Sequence, residues 1–332
     1  MRNSFLKFLI CLLTITSQTF SQFKFISYGS EIFSLGGNAR YTSLGNTGSA
    51  FANDVSAIFF NPSLLTNLKN SQLQIMHEER FQNILDYDYI GYSLENFGAS
   101  IIRLAADNNL DTRNALIDVN TGNVVYNILD SNSRIDKNKI KYFSVTDMVL
   151  ILSYAEKQTE NFSYGGNVKI VRKDNAEFYA NGIGIDIGAS YKHNENLFFG
   201  ITLQDATTTF IFWNTGTNEA IPPKLKFGSA YIVDIFYGNL TSAADVDIFF
   251  ENRKSSSQFN LGKTSFDFHL GTEYVFNNVL KFRFGYSEIK SLNFGVGINF
   301  NKVDIDYSFS KLNKENNIGN NQRVSLSFSF SE

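Results

Sequence analysis

The stretch LNFGVGINF puts Leu292, Phe294, Val296, Ile298 and Phe300 on one face and Asn293, Gly295, Gly297 and Asn299 on the other. Strict two-residue alternation is a strand signal; apolar residues of an amphipathic helix recur every three or four positions. The following stretch, VDIDYSFS, opposes Val303, Ile305, Tyr307 and Phe309 to Asp304, Asp306, Ser308 and Ser310. VLKFRFGY, FDFHLGTEYVF, IGIDIGASY, DMVLILSY and the terminal VSLSFSF repeat the pattern. The chain therefore reads as all-β, with one aliphatic and aromatic face and one face of Gly, Ser, Asn and charge.

Two architectures present such strands. In a soluble sandwich the apolar face points to a shared core; in a transmembrane barrel it points to lipid and the polar face to the lumen. The connections favour the barrel. From about residue 72 to 330 there are roughly fourteen segments of about 7–12 residues, an even number in the outer-membrane range. One set of connections is short, near 95–96, 193–195, 237–239, 277–279 and 301–302, with a longer member at 156–161. The other set is mostly long, at 105–146, 172–181, 206–224, 251–264 and 312–321, with a short member at 288–291. Short periplasmic turns and longer outer loops are the expected asymmetry. Composition agrees: Phe 33, Tyr 16 and Gly 23 accompany Pro 3, and a closed barrel has no edge strands for prolines to protect. The expected fold is a 14-stranded antiparallel transmembrane β-barrel over 71–332, in the bacterial outer membrane. A soluble secreted β-sandwich that binds glycans is the alternative.

The chain start supports that compartment. MRNSFLKFLICLLTITSQTFSQ has Arg2 and Lys7 ahead of a short apolar run from Phe8 to Ile15 and a small-x-small pattern at Thr19 and Ser21. This is the layout of a secretory signal peptide over 1–21, too short to span a bilayer. Cys11, the only cysteine, falls inside it, so the mature chain is expected to lack disulfides and cysteine metal sites. Without Arg2 and Lys7 there remain 27 basic and 32 acidic residues, which argues against nucleic acid as a partner.

Turn lengths fix the register. A two-residue loop at Asn301-Lys302 pairs Phe300 with Val303. A three-residue loop at Asn277-Asn278-Val279 pairs Phe276 with Leu280 and sets Glu273 across from Arg283, a candidate lumenal ion pair. Between signal and barrel, residues 22–70 read as a hatch that folds up into the barrel from the periplasmic side. Asn53 or Asp54 is expected to cap a short helix from Val55 to about Asn61, with Pro62 stopping it.

The stretch GGNARYTSLGNTGSAFANDVSAIFFNPSLLTNL resembles the N-terminal signature of the PorV/PorQ family of outer-membrane proteins. The family's Asn-Pro-Ala-Gly-Leu-like element reads here Asn61-Pro62-Ser63-Leu64-Leu65, with Ser63 and Leu64 departing from it. LQDATTTFIFWNTGTNEAIPPKLKFG, from Leu203 to Gly228, also resembles PorV/PorQ-like chains. That family is similar in turn to the long-chain fatty-acid transporters, whose fourteen-stranded barrels hold an N-terminal hatch. The resemblance implies a part in type IX-like protein secretion to the cell surface, with secretion-system subunits or secreted cargo as partners. The alternative it leaves open is a passive channel for hydrophobic small molecules such as fatty acids or hydrocarbons.

Asp245, Asp247, Asp267, His269, Glu273, Lys281, Arg283, Asp304 and Asp306 fall on the inward face. They suit a solvated, mutually paired lumen, or the lining of a polar path. Phe210, Phe212 and Trp213, in the outer stretch 206–224, are candidate contacts for a partner or ligand, or interface aromatics. An enzyme is not expected. His77, His193 and His269 are the only histidines, and none stands in a zinc-protease, nucleophile-base or phosphate-loop pattern. No cofactor or metal is expected, and outer-membrane lipid is the expected surrounding.

Overall fold

The computed structural model describes residues 25–26, 31–81, 84–287, 291–311 and 320–330. The signal peptide at 1–21 lies outside these residues, as do most of the outer connections at 288–291 and 312–321.

Among the described residues fourteen strands form the wall. They are β1 (Ser71–Arg80), β2 (Leu85–Leu94), β3 (Phe97–Asp111), β4 (Lys141–Thr159), β5 (Phe162–Asn175) and β6 (Phe178–Lys192). Next come β7 (Leu197–Gln204, resuming at Thr209–Trp213) and β8 (Asn218–Ile221, resuming at Lys224–Ile235). The ring continues with β9 (Gly238–Phe249), β10 (Thr264–Phe276), β11 (Leu280–Tyr286), β12 (Leu292–Phe300), β13 (Val303–Lys311) and β14 (Asn321–Phe330). Each strand pairs antiparallel with its neighbours in sequence, and Ser71 of β1 pairs with Phe330 of β14, which closes the ring. A single closed sheet rules out the soluble sandwich.

Alternation decides which way each strand faces. Ile75, Ile90, Ile101, Leu152, Ile170 and Ile187 are exposed on the outside, as are Phe282, Phe294 and Val296. That is an apolar band such as a bilayer requires of a barrel wall. Tight turns on the side of the chain's β1 start and β14 end set the register. Asn277 and Asn278 have φ of 49° and 58°, a left-handed conformation that asparagine tolerates. Phe276 then pairs with Leu280 and Glu273 with Arg283, and Phe300 pairs with Val303.

The outer connections differ from expectation in two places. The loop expected at 172–181 is a two-residue turn, because β5 runs to Asn175 and β6 starts at Phe178. The stretch 206–224 is largely strand. Its Thr209–Trp213 segment pairs with β6 and with Asn218–Ile221. The break in β8 falls at Pro222-Pro223, where neither residue has an N–H to give the ladder.

Inside the ring, residues 31–68 fold as a plug. They contain the helices α1 (Ala39–Ser43) and α2 (Ala57–Phe60) and a 3-10 turn at Pro62–Asn67. Tyr41, Ile58, Phe60, Leu64 and Leu65 are buried to 1% exposure or less. Burying each such side chain contributes about 1.5–3 kcal/mol.

Two measurements check this architecture. The folded protein is expected to migrate differently on gels before and after boiling, as closed barrels do. Val296→Arg, on the lipid face of β12, is expected to lower folding stability by about 2–4 kcal/mol, read from urea titration of that mobility shift. Unchanged stability would mean this face is not in hydrocarbon.

Candidate functional site

The plug enters from the other end than its sequence position suggests. The backbone of Phe25–Ile26 pairs in parallel with Asn218 and Glu219 at the outer end of β8. Phe33 and Leu35 line the outer vestibule, and Asn53 and Asp54 the periplasmic one. A hatch folding up from the periplasm is therefore corrected: its first residues lie at the outer mouth. The cause is pairing, since the upper part of β8 has left β9 at the proline break and offers an edge.

Local chemistry explains the plug's shape. The Asn38 side chain caps α1 by accepting from the Tyr41 N–H at 3.0 Å. The expected helix over 55–61 is shorter, because Asp54 Oδ1 takes the Ser56 N–H at 2.8 Å and holds the entry as a turn. Asn53 does not cap it; its side-chain oxygen accepts from Arg40 Nη1 instead. Pro62 ends α2 and also starts the next turn. At the first position of that turn its missing N–H is harmless, and Asn61 caps it through the Ser63 N–H at 3.2 Å. Asn61 Nδ2 donates to Ser49 O at 2.8 Å and to Ala189 O on β6 at 3.0 Å. The Ser63 hydroxyl donates to Asn61 Oδ1 at 2.7 Å, while Leu64 is buried in the core.

The wall makes room for the plug with glycine. A Cβ on Gly200 would stand 1.8 Å from Ser49 O, and one on Gly188 2.2 Å from Asn61 Oδ1. Wall side chains then satisfy the plug's backbone. Tyr87 OH donates to Gly36 O at 2.6 Å, Tyr89 OH to Val55 O at 3.1 Å and Asn167 Nδ2 to Ile58 O at 2.9 Å. Asp245 accepts from the N–H groups of Gly48 and Ser49 at 3.1 and 3.0 Å. His269 Nδ1 donates to Gly45 O at 2.7 Å.

Ion pairs complete the attachment. Glu273 Oε2 meets Arg283 Nε at 2.5 Å, Arg40 Nη2 of the plug meets Glu273 Oε1 at 2.7 Å, and Arg283 Nη1 meets Asp306 Oδ1 at 2.7 Å. The pair read from the register is thus the middle of a four-member chain. Lys281 pairs with Asp304, and Asp247 lies between Lys224 and Lys226. Arg253 pairs with Asp267. A second buried cluster holds Lys169 Nζ 2.6 Å from Asp186 and 2.5 Å from Asp205, over the ring of Phe33. Arg323 pairs with Glu78 and donates to Leu35 O at 2.7 Å. Sequence reasoning missed Arg40, Asn38, Tyr87, Tyr89, Lys169 and Arg323. Charged or hydroxyl side chains at inward positions were the available signal for the wall members.

Phe210, Phe212 and Trp213 do not form a loop. They lie on the upper segment of β7, where Phe212 faces outward and is exposed, and Trp213 is half-buried with its Nε1 donating to Glu219 at 2.8 Å. Beyond the membrane, a 2.7 Å hydrogen bond from Arg113 holds the Glu177 carboxyl below the usual carboxylate range.

The plug divides the lumen into two vestibules that share no lining residue. The outer one has a volume of about 340 Å³, with Phe33, Phe59 and Phe60 of the plug on its floor and Lys226, Asp247 and Arg323 in its walls. The periplasmic one, about 440 Å³, is bordered by Arg40, Asp54, Glu273, Asp304 and Asp306.

No family model matches the chain, and no curated protein matches it in sequence. Solved structures do match in fold. The Pseudomonas putida toluene transporter TodX aligns with a TM-score of 0.62 at 12% identity, over 90% of this chain and 99% of TodX. The Ralstonia pickettii toluene transporter TbuX gives 0.54 at 14% identity, over 89% and 99%. A FadL homologue of Pseudomonas aeruginosa gives 0.52 at 13%, over 89% and 98%. The fold is thus that of the FadL-type barrels of the bacterial outer membrane.

Glu273→Ala is expected to destabilise the barrel by about 3–5 kcal/mol, because it leaves the Arg40 and Arg283 guanidiniums buried without their shared carboxylate. Urea titration of the gel-mobility shift measures it; a loss under about 1 kcal/mol would place the network in water, as for an exposed pair.

Proposed function

We propose that the protein is a passive outer-membrane channel for hydrophobic small molecules, with the N-terminal plug as its gate. The observation that carries this reading is the outer vestibule, which opens above a floor of three aromatic rings, Phe33, Phe59 and Phe60. Most of the remaining lining is polar or charged, with Glu78, Arg80, Lys226, Asp247 and Arg253 in the walls, so the site suits an amphipathic ligand or an apolar one that settles on the rings. The toluene transport of TodX and TbuX, which share the fold, supports the same reading. In either reading outer-membrane lipid surrounds the wall.

A second reading is favoured by one observation, the PorV/PorQ-like stretches at 36–68 and 203–228. It makes the barrel an accessory of type IX-like secretion, with secretion-system subunits or secreted cargo as partners. Fold does not choose between the two.

Deleting the gene separates them. The channel reading expects uptake of labelled toluene or a long-chain fatty acid to fall several-fold while secretion stays normal. Unchanged uptake with cargo retained in the periplasm would overturn it in favour of the second reading.

A further inference from the structure

The inner wall has two chemistries. Across β2 to β5 it carries Tyr89, Ile102, Val149, Ile151 and Val171, and these belong to one buried apolar cluster with Val55, Ile58, Leu64 and Leu65 of the plug. Across β12 to β14 the inward residues are Asn, Gly, Ser, Asp and Arg. Helix α1 lies against this polar quarter, touching β11 to β14.

Here the two vestibules come within one residue of each other. On β13 the inward series is Ser310, Ser308, Asp306; Ser310 lines the outer vestibule and Asp306 the periplasmic one. On β14 the series is Arg323, Ser325, Ser327; Arg323 lines the outer vestibule and Ser327 the periplasmic one. Ser308 and Ser325 alone separate the chambers along these strands, and inward neighbours stand only about 7 Å apart. The partition is therefore one layer of side chains, made of serines and covered by α1.

Its polar atoms are poorly served in this closed arrangement. Ser308 Oγ, Ser325 Oγ, Arg323 Nε and Nη1 and Arg283 Nη2 are buried with no hydrogen-bond partner among the described residues. Buried polar groups in proteins are nearly always paired, with protein or with water, and an exception calls for an explanation. Moving α1 aside would let water reach all of these atoms, so their hydration favours opening. Opposing it are the burial of Tyr41 and Leu44, the wall bonds to Gly36 O and Gly45 O, and Arg40 on α1, which both oxygens of Glu273 hold at 2.7 and 3.0 Å.

We infer that the seam between α1 and strands β13 and β14 is a gated route for water and small uncharged polar solutes, latched by Arg40. This route is independent of the hydrophobic-channel reading and differs from it in solute chemistry. Uncharged solutes suit it because a bare ion would meet fixed charges of both signs, Arg323 at one end and the Arg283–Asp306 pair at the other.

Vesicles carrying the purified protein test this by swelling in iso-osmotic urea and in glycerol. Arg40→Ala is expected to swell several-fold faster than the unaltered protein, and adding Ser308→Leu and Ser325→Leu is expected to return the rate to the starting value. An Arg40→Ala rate equal to that of the unaltered protein, or a raised rate that survives the two leucines, overturns the proposal. If Arg40→Ala fails to fold, alkylation by iodoacetamide in a Cys11→Ser background decides. Ser308→Cys and Ser325→Cys are expected to react several-fold faster than the lipid-facing Val296→Cys, and equal rates overturn the proposal.

Discussion

A ring of fourteen strands is too wide to be filled by its own inward side chains. Barrels of about eight strands close their interior that way, and those of about sixteen to eighteen leave an aqueous channel. This chain lies between, and its lumen is filled by its own residues 31–68. The wall's inward glycines at 188 and 200, the donors that meet plug carbonyls, and the carboxylates that meet plug N–H groups and Arg40 all follow from that filling. A backbone segment enclosed in protein must have its N–H and C=O groups paired, so the wall had to supply those partners.

The fastening is uneven around the ring. On one side the plug is held by apolar contact, and displacing it there would expose Ile58, Leu64 and Leu65 to water. On the other side it is held by charge through Arg40, Glu273, Arg283 and Asp306. Apolar contact has no directional requirement, whereas an ion-pair chain fails when one member moves. The plug is thus fastened by apolar contact along one arc of the wall and by ion pairs along another. Both vestibules reach the charged side, where the plug is thinnest against the wall. The aromatic residues of the outer vestibule and the polar seam beside it thus lie around one plug.

The wall was readable from sequence because its determinants are local. Alternation in LNFGVGINF sets which side chains meet lipid, and the turn at Asn277-Asn278-Val279 sets Glu273 opposite Arg283; both act over a few residues. The existence of a plug was readable from its break with that alternation, and the Asn61-Pro62 turn from its residue types. Strand ends were less readable where polar residues continue a strand past the apolar band, as at Arg172 to Asn181. There, two paired strands satisfy their backbones without needing lipid contact.

What the sequence could not state is which distant groups meet. Arg40 and Glu273 are separated by 233 positions, and nothing in the residues around either one names the other. The entry of the chain at the outer mouth was equally hidden, because it depends on an edge that exists only once Pro222 and Pro223 have parted β8 from β9. Local preference determined the barrel and its facing. Long-range contact decided the plug's path, its Arg40–Glu273 ion pair and the thin serine partition, since those groups meet only when distant segments come together in the closed ring.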